Sequence, residues 1–296
     1  MFSPELLAGK VAIVTGGSRG GMLKEIAKQF LLHKAKAVVL MSRNAEKNGE
    51  VAKELSAFGT CHSEPGDVRK LEDCKRVAQN TLDKFGSIDI LVNGAAGNFL
   101  ASAAKLSSNG FKTVMEIDTL GTFHMSQSVF NTYMKGHGGV IINMSAALHW
   151  SGSALQVHSA SAKAGVDTIT KTLAVEWGPH KVRVAGIVPG AIEGTEGFER
   201  LGDIANMNNK EKSNQAFAKG AAKESATGFK ESMVIGPINR FGSVSDIANA
   251  ALFLASPLAS YVSGTNLVVD GGSNLVYPNF LFSFPQFVNM WKDAKL

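Results

Sequence analysis

The sequence predicts a doubly wound α/β protein in which a seven-stranded parallel sheet is flanked by helices, and three observations carry that expectation. Short apolar runs alternate with longer segments whose apolar residues recur at helical spacing. The runs are continuous rather than alternating apolar and polar, as in strands buried on both faces of a parallel sheet. A 45% hydrophobic content, with 31 glycines against 8 prolines in 296 residues, suits a packed core and not a low-complexity chain.

In chain order, Val11-Ala12-Ile13-Val14 reads as the first strand and Met22 to Leu32 as the first helix. Ala37 to Met41 follows as a strand, Ala45 to Phe58 as a helix, a short segment runs to Asp67, and Leu71 to Phe85 is a helix. Ile88 to Asn93 reads as strand four, followed by a helix around Phe111 to Met134 and a strand at Val140 to Met144. A helix at Ser161 to Trp177, a strand at Val182 to Val188 and a last strand near Leu267 to Val269 complete the alternation. No Pro- or Ser-rich linker and no repeat divides the chain, so residues 1–296 are expected to form one domain. The polar, Asn/Lys/Ala-rich stretch at 202–236 is expected to be a helical lid over the ligand. The tail at 277–296 carries Phe280, Phe282, Phe284, Phe287 and Trp291, too apolar to leave in water, and is expected to meet another subunit, with membrane or acyl-chain contact as the alternative.

Thirty Lys and Arg against 25 Asp and Glu give a formal charge of +5, spread along the chain without a basic run. That argues against a nucleic-acid partner and suits an anionic cofactor or substrate. Cys61 and Cys74 are too few and too unpatterned for a disulfide framework or a metal site, so no metal is expected. No apolar run reaches transmembrane length, so no stable membrane insertion is expected, and Met-Phe-Ser-Pro-Glu lacks the features of a secretory signal. The ending Ala294-Lys295-Leu296 differs from the peroxisomal Ser-Lys-Leu signal by one small residue. It points to a peroxisome or related microbody and to the import receptor as a partner; the plain alternative is a solvated terminus.

Gly16, Gly17, Ser18, Arg19, Gly20 and Gly21 lie between the first strand and first helix. There, backbone N–H groups and the helix dipole meet a pyrophosphate in the Rossmann fold. At the end of strand two, where a carboxylate would hold ribose hydroxyls of NAD, the chain has Ser42-Arg43. A carboxylate repels a 2′-phosphate, whereas Arg43, Ser42 and a second cation, Arg19, attract it, so NADPH is the expected cofactor.

The glycine turn, Asp67-Val68, Asn93-Gly94-Ala95-Ala96-Gly97, Lys163, Pro189-Gly190 and Asp270-Gly271-Gly272 together resemble the short-chain dehydrogenase/reductases over residues 9 to about 275. The resemblance implies that Asp67 and Val68 meet the adenine, and that Asn93 and Ala95 support the cofactor. It also implies that Lys163 holds the nicotinamide ribose, that Pro189, Gly190, Ile192 and Thr195 line the carboxamide, and that the subunits form a homo-oligomer, usually a tetramer. Met22 departs from the pattern, standing where the turn's last glycine would be, with Gly21 beside it.

The family's tyrosine, four residues before the lysine, is Ser159 here; its serine is Ala146; its helix-four asparagine is Asp118. A serine hydroxyl without an adjacent base does not replace a phenol, so ordinary alcohol–ketone chemistry is disfavoured. The segments Asn93 to Leu100, Ile117-Asp118-Thr119, Gln156-Val157-His158, Ala174 to Pro179 and Gly194 to Gly197 resemble the 2,4-dienoyl-CoA reductases of fatty-acid β-oxidation. The position of their mitochondrial tyrosine is Leu148, which matches the peroxisomal branch. That resemblance implies hydride delivery to the δ carbon of a dienoyl-CoA and a proton at the α carbon. Lys163 would supply positive potential and Asp118 would hold the proton-donating water, with His158 as a rival acid. Arg43, Arg69 and Arg200 would contact the acyl-CoA, with Asn98, Phe99, Ser107, Ser108 and Asn109 along the acyl thioester. A reductase for 2-enoyl-CoA or a carbonyl, and a non-catalytic NADP(H)-binding protein, remain as alternatives.

Overall fold

The computed structural model describes residues 2–195, 237, 238 and 240–276. The segments read as a lid and as an aromatic tail, together with Arg200 and Ala294 to Leu296, lie outside them. The strands are β1 (Val11–Thr15), β2 (Ala37–Ser42), β3 (Cys61–Pro65), β4 (Ile90–Asn93), β5 (Gly139–Met144), β6 (Val182–Pro189) and β7 (Asn266–Val269). They form one sheet in the order β3-β2-β1-β4-β5-β6-β7, every pairing parallel. Helices between them are α1 (Gly21–Leu32), α2 (Ala45–Leu55), α3 (Leu71–Phe85), α4 (Ser108–Met115), α5 (Gly121–Val129), α6 (Lys135–His137), α7 (Val157–Trp177), α8 (Val244–Ala255) and α9 (Ser273–Val276).

Side chains of successive strand residues point to opposite faces, and the core divides accordingly. Ala12, Val14, Val38, Leu40, Val92 and Ile142 pack with Ile26, Ala27 and Phe30 of α1 and Ile247, Ala248 and Ala251 of α8. Ile13, Val39, Leu91, Ile141 and Val184 pack on the other face with Val77 and Ala78 of α3, Met125 and Val129 of α5, and Trp177 of α7. The continuous apolar runs of the strands follow from this two-sided burial.

Three helices differ from the sequence expectation by three residues or more, and β4 begins at Ile90, two residues after the expected Ile88. Helix α2 ends at Leu55, and Phe58 beyond it is exposed, carrying no face that helical packing would bury. Helix α7 begins at Val157, four residues early, its first turn closed by Ala160 N–H donating to Gln156 O at 2.8 Å. The expected helix at 111–134 is a longer helical run broken by two π-helical turns, Glu116–Leu120 and Phe130–Met134. Each π turn holds an extra residue per hydrogen-bonded ring, a change of phase that apolar spacing does not reveal.

Candidate active site

In a wholly parallel sheet all carboxyl ends lie on one edge, and the strand order reverses between β1 and β4, where such sheets bind ligands. The chain is stitched tightly there. Thr15 Oγ1 accepts from Gly94 N–H at 3.0 Å and Ala95 N–H at 3.1 Å. Gly16 has φ 87°, and a β-carbon on it would stand 2.9 Å from the Ala95 backbone, so no other residue fits. Gly20 and Gly21, with φ of 80° and 67°, turn the chain into α1, which has no side-chain cap and no acidic residue in its first turn. Its leading amides therefore suit an anion. Ser42 Oγ, at the end of β2, is buried without a hydrogen-bond partner, and exposed Arg43 follows. An orphaned hydroxyl beside a cation fits a phosphorylated or hydroxylated ligand.

Asn93, at the end of β4, donates through Nδ2 to Ser126 Oγ and Asn143 Oδ1, both at 2.9 Å, and Asn143 donates to Thr170 Oγ1 at 2.9 Å. This chain ties β4, β5, α5 and α7 behind the site. Gly21 approaches Thr195: a β-carbon there would meet Thr195 Cγ2 at 3.5 Å. Thr195 Oγ1 donates to Ile192 O at 2.8 Å, and Gly190 N–H donates to Val269 O at 3.0 Å. The segment from Pro189 to Thr195 thus borders the glycine turn.

Asp67 and Arg69 are paired. Arg69 Nε donates to both carboxylate oxygens of Asp67 at 3.0 Å, and Arg69 Nη2 to Oδ2 at 2.5 Å. That bond from Arg69 holds the Asp67 carboxyl below its ordinary range, aided by the more distant charge of Arg43. Val68 is buried, its carbonyl facing His124 Nδ1 at 3.1 Å.

Asp118 sits on the first π turn and is 0% exposed. Its Oδ1 accepts from Gly97 N–H at 2.7 Å, and its Oδ2 lies 3.1 Å from Lys163 Nζ as an ion pair without hydrogen-bond alignment. Lys163, 8% exposed on α7, donates to Met144 O at 2.9 Å. The loop after β4, the π turn, α7 and the end of β5 therefore converge on one buried charge pair.

The loop after β4 also docks on the start of α7. Asn98 Nδ2 donates to Gln156 Oε1 at 2.8 Å, Ala101 N–H to Leu155 O at 2.9 Å, and the Phe99 ring lies 4.4 Å from that of His158. A β-carbon at Gly110 would come within 3.1 Å of the Phe99 ring tip and 3.2 Å of Ser107 Oγ, so Phe99 and the turn Ser107 to Asn109 are neighbours. Ser107 caps α4, its Oγ accepting from Gly110 N–H at 3.0 Å. His158 is 0% exposed, and neither ring nitrogen makes an aligned hydrogen bond. Burial pushes its pKa down, against the opposing influence of the Phe99 backbone and Asp118. Ser159 is buried within α7.

One cluster escaped the sequence reading. Ser145 Oγ donates to Asp167 Oδ1 at 2.5 Å, and His149 Nε2 meets Asp167 Oδ2 at 2.8 Å, tying the turn after β5 to α7. The available signal was Asp167 four residues after Lys163, on the same helix face.

A doubly wound parallel sheet with a glycine turn at its reversal point and a buried lysine on the facing helix defines a nicotinamide-dependent oxidoreductase. Residues 17–274 match the family model described as enoyl-(acyl carrier protein) reductase. The chain is 44% identical to a rat peroxisomal 2,4-dienoyl-CoA reductase that produces (3E)-enoyl-CoA, an alignment covering all of this chain and 94% of the relative. It is 38% identical to a probable 2,4-dienoyl-CoA reductase of Bacillus subtilis named as producing (2E)-enoyl-CoA, over 89% of this chain and 96% of that protein. Among solved structures, a short-chain dehydrogenase of Bacillus anthracis superposes with a TM-score of 0.73 at 38% identity, covering 90% of this chain and 97% of that one. The chain belongs to the short-chain dehydrogenase/reductase family.

Proposed function

We propose that the protein reduces 2,4-dienoyl-CoA to 3-enoyl-CoA with NADPH. The observation that carries this reading is the enclosed Asp118–Lys163 pair at the carboxyl edge of the sheet. It stands in a site where Ser159, Ala146 and Leu148 occupy the positions at which relatives place tyrosine and serine. The two dienoyl-CoA reductase relatives support the same substrate class.

Gly16 to Gly21 would receive the pyrophosphate, Ser42, Arg43 and Arg19 the 2′-phosphate, Asp67 and Val68 the adenosine end, and Asn93, Ala95, Lys163 and Pro189 to Thr195 the nicotinamide half. Bound there, NADPH would supply the hydride that the δ carbon of the substrate takes up. Charge then gathers on the thioester oxygen, and the Lys163 ammonium stabilises it by positive potential in a water-poor site. Asp118, fixed by Gly97 N–H and Lys163, holds and polarises the water that protonates the α carbon. Burial disfavours the charged form of His158, which counts against it as the acid beside the water held by Asp118. Phe99, Asn98 and Ser107 to Asn109 would flank the acyl thioester, and Arg43 and Arg200 the coenzyme A phosphates.

We place the protein in the peroxisome, as the names of its eukaryotic relatives support, and read residues 1–296 as one domain of a homo-oligomer. The decisive experiment follows dienoyl absorbance with NADPH. Consumption of 2,4-hexadienoyl- or decadienoyl-CoA to a 3-enoyl product, without turnover of acetoacetyl-CoA, is expected. A 2-enoyl product would overturn the proton position, turnover of ketones the substrate class, and NADPH binding without oxidation by any acyl thioester the enzyme reading. Full activity in Asp118→Ala would remove Asp118 from the mechanism.

A further inference from the structure

Helix α7 is joined to the end of β5 through Lys163, Asp167 and Thr170, whose spacing puts all three on one helix face. Lys163 Nζ donates to Met144 O at 2.9 Å, Asp167 Oδ1 accepts from Ser145 Oγ, and Thr170 Oγ1 accepts from Asn143 Nδ2 at 2.9 Å. The peptide group between Met144 and Ser145 is therefore held at both ends. Its carbonyl takes the lysine, and its N–H donates to Ile187 O on β6 at 2.8 Å. The next tether along the chain is the Ser145 side chain on Asp167, and beyond it His149 Nε2 closes on Asp167 Oδ2 at 2.8 Å. Both oxygens of the carboxylate are engaged, on a side chain that is 8% exposed.

A buried carboxylate carries a desolvation cost that a hydroxyl or an amide would avoid, and in return it gives short, charge-assisted bonds that fix position closely. The peptide that Asp167 fixes is the one whose carbonyl directs Lys163, one helical turn away. We propose that Asp167, with Ser145 and His149, is a positioning cluster for Lys163. Asp167 acts through the Met144 carbonyl, which keeps the ammonium beside Asp118 at 3.1 Å. His149 occupies the second carboxylate oxygen and so keeps the first one on Ser145. The proposal rests on the dienoyl-CoA reading, in which Lys163 stabilises charge on the thioester oxygen, and extends it to residues outside the ligand contacts.

The test is steady-state and single-turnover reduction of 2,4-hexadienoyl-CoA by the full-length protein. Rates are expressed per NADPH-binding site, so that loss of folded protein changes the number of sites and not the rate. Wild type that leaves dienoyl-CoA unreduced overturns the function reading and this proposal with it. Given turnover, Ser145→Ala and Asp167→Ala should each lower kcat about tenfold, the loss expected for displacing Lys163 by less than about 1 Å, with KM for NADPH and dienoyl-CoA kept within about threefold. Asp167→Asn, which still accepts from Ser145, should retain kcat to within about threefold, and His149→Ala should fall between wild type and Asp167→Ala. In a Lys163→Met background, where the carbonyl has no ammonium to direct, Ser145→Ala should change the single-turnover rate less than about twofold. A loss that persists there in full shows that the cluster does not act through Lys163 and overturns the proposal. A kcat raised above wild type in Asp167→Asn overturns it too, because Asp167 then acts by charge rather than by position. So does a change confined to KM, or an unchanged kcat in Ser145→Ala and Asp167→Ala.

Discussion

Asp118 Oδ2 and Lys163 Nζ face each other across 3.1 Å, with the carboxylate fully enclosed and the ammonium nearly so. Two charges in such a place depend on each other: removing one leaves the other buried without compensation, a loss of about 3–5 kcal/mol. Lys163→Met should therefore destabilise the apo protein by that amount in urea unfolding. Adding Asp118→Asn should recover a large part of the loss, since the neutral amide can still accept from Gly97 N–H. Additive losses in the double variant would show that the two groups are not coupled.

Gly16 and Gly20 offer a controlled comparison. Both have positive φ, but a β-carbon collides with the Ala95 backbone only at Gly16, whereas the space around Gly20 is open. Gly20→Ala should cost about 1 kcal/mol of backbone strain, while Gly16→Ala should cost more and separate the β1 and β4 ends. NADPH affinity, followed by nucleotide fluorescence, is expected to fall at least tenfold in Gly16→Ala. A smaller effect at Gly16 than at Gly20 contradicts the close approach.

His158 provides the pH signature. Its folded pKa is depressed below the ordinary 6.5, so below that pH the unfolded chain binds a proton that the folded chain refuses. The stability is complete above 6.5 and is lost as pH falls, by up to about 1.4 kcal/mol per pH unit for one proton. Thermal melts from pH 7.5 to 5 should show a shallower decline for His158→Gln than for wild type. Identical slopes would mean that His158 takes up its proton in the fold.

Asp167 serves two donors at once, Ser145 and His149, and neither has another acceptor among the contacts described. Asp167→Ala should cost about 3 kcal/mol, with the turn after β5 loosened. Trp150 adjoins His149, their rings 6.1 Å apart, so its emission should shift toward that of a solvated indole. Asp167→Asn, which keeps one acceptor oxygen, should lose less than half as much. Unchanged emission in the alanine variant would place the turn's anchorage elsewhere.

The sheet was legible because strands such as Val11–Thr15 are buried on both faces and therefore apolar throughout. Only β3, whose Cys-His-Ser-Glu-Pro sequence sits half-buried at the sheet edge, gave no apolar run to read. The glycine turn was legible because its φ values admit little else. Asp118 and Lys163 could be named as separate positions from the family pattern, but their union through Gly97 and Met144 required the third dimension. Asp67 and Arg69 stand two apart in sequence, yet their forked pairing depends on a turn geometry that spacing does not encode. The Ser145–Asp167–His149 cluster joins a strand end to a helix, Ser145 and Asp167 lying 22 residues apart, a distance at which no local rule operates.

The π turn at Glu116–Leu120 adds a residue to a helix that would otherwise run from α4 straight into α5. One residue in an α-helix is worth about 100° of rotation. The carboxylate of Asp118 thus owes its inward aim to chain length as much as to identity. Deleting a single neighbour in that turn would leave every catalytic candidate in the sequence while swinging the faces of α4 and α5 out of phase. Relatives differing by one residue here would diverge in chemistry through a change of count, which no comparison of matched positions would display.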